Sequence, residues 1–144
     1  MQEEKCIFVP GYVEKALHRF KHNMESRRQY QSHQHVVPVY GAKVQMVTLL
    51  DESEELSKDD KKYVQQVLDT FLYYGRAVDD TMLTALNTIA SSQANPTRLT
   101  RHKIKLFLDY AATNSDAVLT YQASNMVLEV HSDTSYLSKV KARS

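Results

Sequence analysis

Ser57-Lys-Asp-Asp-Lys-Lys-Tyr-Val-Gln-Gln-Val-Leu-Asp-Thr-Phe-Leu-Tyr-Tyr-Gly75 decides the fold. Val64, Val67, Leu68, Phe71 and Leu72 recur at three- and four-residue steps, the period of one helix face. Ser57 can cap the free amides of the first turn, and Asp59 and Asp60 stand where the helix dipole favours acids. Gly75 predicts an end or a break. An apolar stripe of this length needs partners, and the sequence offers three further amphipathic stretches.

Upstream, Cys6-Ile-Phe-Val9 reads as a short extended lead that Pro10 and Gly11 break. A helix from about Tyr12 to His22 follows, with Val13, Ala16, Leu17 and Phe20 on one face and Lys15, His18, Arg19 and His22 on the other. His18 and His22 stand four apart, as zinc ligands on a helix do, but no third ligand is placed, and a solvated face suffices. Residues 23–57 form a long, weakly patterned loop, with a short strand or crossing segment at 36–44. His33-x-His35 within it lacks Cys or carboxylate at ligand spacing and reads as polar loop.

Downstream, Asp79 or Asp80 caps a second helix with Met82, Leu83, Leu86, Ile89 and Ala90 as its apolar positions. The pair also invites comparison with the Tyr-x-Asp-Asp of polymerase palms, but Ala77 stands where the Tyr belongs, and capping is sufficient. Asn95-Pro96-Thr97 opens the last helix, to about Thr113. Ile104, Phe107, Leu108 and Ala111 make one apolar face of it, and Leu99, Leu106 and Tyr110 a second. Between them run Arg98, Arg101, His102 and Lys105, a basic stripe that is either a solvated edge or a phosphate contact without sequence preference. Residues 117–121 and 126–132 alternate as strands and predict a hairpin. The class is therefore α+β, mainly α, with about four helices followed by a C-terminal β-hairpin.

Composition agrees. The length fits one domain, and three Gly with three Pro favour helices over an all-β fold. Residues 51–80 carry nine acids against four Lys/Arg, while the parts before and after each carry seven Lys/Arg against four acids. An acidic middle is thus flanked by two mildly basic parts. Cys6 is alone, so no intrachain disulfide forms. No apolar run approaches the roughly twenty residues of a membrane span, and Met-Gln-Glu-Glu-Lys lacks signal-peptide character. The expected setting is intracellular, cytoplasmic or nuclear, with no membrane partner. A Gly-rich phosphate loop, a Gly-x-Ser-x-Gly elbow and a His-Glu-x-x-His helix are all absent from the sequence.

The strand Met126-Val-Leu-Glu-Val-His131 ends at Asp133, before a small-residue turn. A carboxylate there suits a divalent metal, or is simply part of a polar turn. His131-Ser-Asp-Thr-Ser-Tyr-Leu-Ser138, followed by Lys141-Ala-Arg-Ser144, resembles the opening strand of the ribonuclease H domain in copia-type retrotransposon Pol polyproteins. In that family the strand ends in Ser-Asp-Ala-Asp/Ser-Tyr or similar, and the Asp is the first metal-binding carboxylate. Pro10-Gly-Tyr-Val-Glu-Lys-Ala-Leu-His-Arg-Phe20 is similar to the family's Tyr-Ile-x-Lys-x-Leu-x-x-Phe helix after the polymerase palm. Thr70-Phe-Leu-Tyr-Tyr74 resembles its Gly-x-Leu-x-Tyr-Leu segment, and Ile104-Lys-Leu-Phe-Leu-Asp-Tyr110 its Arg-Ile-Leu-Arg-Tyr-Leu helix. The four blocks stand in the family's order and cover most of the chain.

The resemblance implies a fragment or relic of a transposable element's reverse transcriptase. Residues 1–113 would be a thumb/connection-like helical region, and 114–144 the truncated start of a ribonuclease H-like domain. The parent is an RNA-directed DNA polymerase and ribonuclease H that uses Mg2+ and holds a template–primer or RNA–DNA hybrid. Ribonuclease H chemistry needs several carboxylates around two metal ions about 4 Å apart. This chain supplies Asp133 as the catalytic and metal residue of an incomplete site, with no acid after it, and no Tyr-x-Asp-Asp. Tight metal binding is therefore not expected, and nucleic-acid binding through Arg98, Arg101 and Lys105 is expected to be weak. The remainder of the polyprotein is the other implied partner. The competing expectation is a small helical protein- or nucleic-acid-interaction module without enzymatic activity.

Overall fold

Four helices carry the apolar positions into one core: α1 Tyr12–Arg19, α2 Lys58–Ala77, α3 Leu83–Ala90 and α4 Arg98–Thr113. A 3-10 turn over Asp80–Met82 leads into α3, and two short strands, β1 Lys5–Ile7 and β2 Leu119–Tyr121, flank the helices in sequence. This computed structural model describes residues 4–23, 27–35, 51–122, 127 and 130–132. The chain is α+β and mainly α, as its periodicity predicts.

Each helix begins where the local chemistry places it. Gly11 opens α1 in the left-handed region (φ 70°), which a residue without Cβ adopts at no steric cost. The Ser57 hydroxyl accepts from the Asp60 amide at 3.2 Å and caps α2. Asp79 accepts from the Thr81 amide at 3.2 Å and so caps the 3-10 turn at 80–82; α3 itself follows from Met82 without a side-chain cap. Thr97 and Thr100 cap α4 reciprocally, each side chain meeting the other's backbone amide.

α2 is the central element, packing on α3 and α4, while α1 lies against α4. Val64, Val67, Leu68, Phe71 and Tyr74 are its buried face. Phe71 meets Phe107 of α4 edge to face, with centroids 5.1 Å apart and planes at 90°. Tyr12 of α1 stacks on Tyr74 at 5.4 Å and donates its hydroxyl to the Thr70 carbonyl at 2.8 Å. Ile104, Phe107, Leu108 and Ala111 are buried as one face of α4; Leu106 and Tyr110 on its other flank are half-buried, and Leu99 is exposed.

Gly75 does not end α2, which continues to Ala77. The glycine serves close packing instead. A Cβ built there would stand 3.2 Å from Leu83 Cδ2 and 3.4 Å from Leu86 Cδ1, so the missing side chain lets α3 approach.

β2 lies within the stretch predicted as strand. Its described partner comes from the other end of the sequence. β1 pairs antiparallel with it, Lys5 opposite Tyr121, Cys6 opposite Thr120 and Ile7 opposite Leu119. Of 126–132, the predicted second strand, Val127 and residues 130–132 are in no strand, and the others lie outside the described residues, as does the 36–44 segment.

Phe71→Ala is expected to lower the unfolding free energy by about 3–5 kcal/mol, because it empties a fully buried aromatic site. Gly75→Val should cost about 1–3 kcal/mol by overpacking against Leu83. Urea unfolding measures both, and a Gly75→Val protein as stable as the parent would contradict the close approach of α3.

Candidate nucleic-acid groove

On α4, Arg98, Arg101, His102 and Lys105 recur at helical spacing and so share one face. That face forms one wall of an open groove of about 460 Å³. Tyr63 of α2 and residues 20–23, just after α1, form the rest. The three cations expected to contact phosphates are therefore brought together, and Lys21 joins them from the opposite wall.

None of the three stands alone. Arg98 Nη2 lies 2.6 Å from Glu54 Oε2, and Arg101 Nη1 3.4 Å from Asp60 Oδ1. Lys105 Nζ lies 3.9 Å from Asp109 Oδ2, one turn further along α4. Arg101 is held a second way, its guanidinium 4.0 Å above the centre of the Tyr63 ring. Phe20 meets that ring edge-on at 5.6 Å. Burial raises the Tyr63 phenol pKa, partly offset by the Arg101 charge, so the hydroxyl stays a neutral donor at physiological pH.

His22 departs from its expected place on the polar face of α1. The helix stops at Arg19, and Lys21 takes a left-handed conformation (φ 51°). The His22 amide bonds the Leu17 carbonyl at 3.0 Å and the Lys21 amide the His18 carbonyl at 3.0 Å, a Schellman closure. This turn swings the imidazole across to α4, where His22 Nε2 lies 2.8 Å from Asp109 Oδ1. Both side chains are largely buried, 9 % and 12 % exposed. The sequence held one signal for this contact, an acid set among the apolar positions of α4.

The acidic stretch before α2 is fastened to the start of α4. Arg98 N–H donates to the Glu54 carbonyl at 3.0 Å and Leu56 N–H to the Pro96 carbonyl at 2.8 Å, around an antiparallel bridge between Glu55 and Thr97. The Asp51 carboxylate accepts from the Ser53 and Thr97 hydroxyls. These hydrogen bonds, that from Ser53 first, hold its pKa below the ordinary carboxylate value.

The groove offers guanidinium, ammonium and imidazole donors to an anion. Among the described residues no three of His, Cys, Asp and Glu stand together as a metal-ligand set, and the donor set fits no metal clamp. Asp133, the carboxylate expected to hold metal, lies outside the described residues. His33 Nδ1 lies 3.3 Å from Ser32 Oγ, and His35 beside it is exposed. No helix among the described residues is long and apolar enough to cross a membrane. Compared with protein-family models, curated proteins and solved structures, the chain matches none.

His22→Ala is expected to destabilise by about 1–3 kcal/mol, since it takes the close partner from a buried carboxylate. An unchanged urea midpoint would show the pair to be idle. Asp51→Asn should cost at most about 1 kcal/mol at neutral pH, because Asp51 is exposed and screened. A depressed folded-state pKa gives stability that is full above the ordinary value of 3.8 and is lost as pH falls through the folded value. The difference between the two proteins should therefore shrink as acid is added below about pH 4; a constant difference would refute the assignment.

Proposed function

We propose that the chain is a segment of a copia-type retrotransposon Pol polyprotein, the helical thumb and connection region after the reverse-transcriptase palm together with the start of the ribonuclease H domain. The observation that carries this reading is the order and spacing of the four family-like blocks along the sequence. The fold supports it. Three of the blocks, at 10–20, 70–74 and 104–110, supply Val13, Phe71, Tyr74, Ile104 and Phe107, each at most 1 % exposed. Of the positions that match the family's pattern, Val13, Tyr74, Ile104 and Phe107 are buried, Tyr12, Leu17, Phe20 and Leu72 are half-buried and Lys15 is exposed, so the resemblance coincides with the core only in part. In this role the segment is a frame with a cationic groove that rests against backbone phosphate, and the cutting and copying chemistry belongs to the parent's neighbouring domains.

One observation favours a self-contained interaction module instead. β2, which follows the expected boundary at 113/114, pairs with β1, which precedes it. The two regions are joined by hydrogen-bonded strands, as parts of one unit would be.

Sequencing the DNA on either side separates the readings. The retroelement reading expects an upstream palm with Tyr-x-Asp-Asp and downstream strands carrying further Glu and Asp; flanks with neither overturn it. Binding tests the groove. Filter binding of a single strand or an RNA–DNA hybrid at low salt should be weak and without sequence preference. Three phosphate contacts at about 0.7–0.9 each set a log–log salt slope no steeper than about −2 to −3. Replacing Arg98, Arg101 and Lys105 together by Ala should abolish this binding, and unchanged binding would take the groove out of the proposal.

A further inference from the structure

We propose that the acidic segment 51–60 is an intramolecular mask, whose Glu54 and Asp60 carboxylates occupy the positions that strand phosphates take on Arg98 and Arg101. The inference rests on the nucleic-acid reading for its ligand and on the geometry for the mask. Residues 51–60 carry six acids against Lys58 alone. They do not lie against α4 by charge attraction only. The Leu56–Pro96 and Arg98–Glu54 backbone bonds fix the segment in register, and Leu99 N–H adds a bond to Ser53 Oγ at 3.3 Å. The backbone therefore delivers Glu54 to Arg98 at 2.6 Å. Asp60, held by the Ser57 cap, reaches Arg101 at 3.4 Å.

Both ion pairs are open to solvent. Side-chain exposures are 74 % and 70 % for Arg98 and Glu54, and 45 % and 41 % for Arg101 and Asp60. Exposed pairs of this kind are weak and exchange readily, so a phosphate can displace a carboxylate without unfolding anything. Arg101 would keep its place during the exchange, because its guanidinium also rests on the Tyr63 ring. Each exchange returns a charge to the acidic segment, which then gathers a counterion. The mask thus lowers both the affinity and the salt dependence of binding.

The test uses the full chain, with circular dichroism confirming the helices of each variant. Glu54→Gln/Asp60→Asn removes the two masking charges and keeps side-chain shape. Glu52→Gln/Glu55→Gln removes the same charge from the same segment, at carboxylates that make no ion pair with the stripe among the described residues. A fluorescent single-stranded DNA oligonucleotide reports binding by anisotropy at low salt. The mask predicts about three- to tenfold tighter binding for Glu54→Gln/Asp60→Asn, with a salt slope steeper by about 0.7 per freed cation. The gain should vanish when Arg98→Ala and Arg101→Ala are added. A gain no larger than that of Glu52→Gln/Glu55→Gln, or one that survives loss of both arginines, overturns the mask. Inorganic polyphosphate, titrated by calorimetry, separates the mask from the ligand. Tightening toward polyphosphate but not DNA upholds the mask and removes nucleic acid as its ligand; tightening toward neither removes the mask.

Discussion

The edge-to-face contact of Phe71 with Phe107 is the joint on which the other helices depend. It fixes α2 against α4 at a point where both rings are fully buried. Everything else takes its position from that pair. α3 follows α2 through the short turn at 78–82 and closes on Gly75, where no Cβ keeps it away. α1 packs on α4 and reaches α2 as well, its Tyr12 stacked on Tyr74 and Phe20 meeting Phe71 at 6.5 Å. A ring pair of this kind contributes a preferred ring geometry as well as buried area.

The packing of α2 on α4 also arranges the charges. With α4 held by its apolar face, the adjoining positions 98, 101 and 105 line the groove, and the segment before α2 has one course, across the start of α4. The same packing that gathers the cations brings their carboxylates. The surface is consequently a set of matched charges whose pairs are individually weak. Such a surface responds to ionic strength and to competing polyanions more than to any single contact.

The helices were legible because their determinants are local. A cap three residues from its amide, or a stripe at steps of three and four, is written within one turn of chain. Ser57 begins its helix as read and positions 64, 67, 68 and 71 face inward, whereas Asp79 caps the 3-10 turn that leads into α3, and α4 starts on Thr97, which leaves Pro96 outside its first turn. What sequence pattern could not supply is long-range. Gly75 reads as a helix end until α3 is seen against it. His22 reads as one of a histidine pair on α1 until the left-handed Lys21 turns it to Asp109. The basic stripe was visible, but its pairing with Glu54 and Asp60 joins residues about forty positions apart, chosen by the packing of the whole unit. Asp133, singled out by resemblance, lies where the described residues give no geometry.

The pairing of β1 with β2 has a kinetic consequence. Cys6 and Thr120 are 114 residues apart, and closing a flexible loop of that length costs about 4 kcal/mol in chain entropy before any strand contact forms. The cost falls once α1 has docked on α4, because β1 ends five residues before α1 begins and β2 starts six residues after α4 ends. The cheapest order of events therefore starts with α2, α3 and α4, neighbours in sequence. α1 then closes across the long connection, and the strands zip last. In such an order a change within the strands alters how fast the native state opens far more than how fast it is reached.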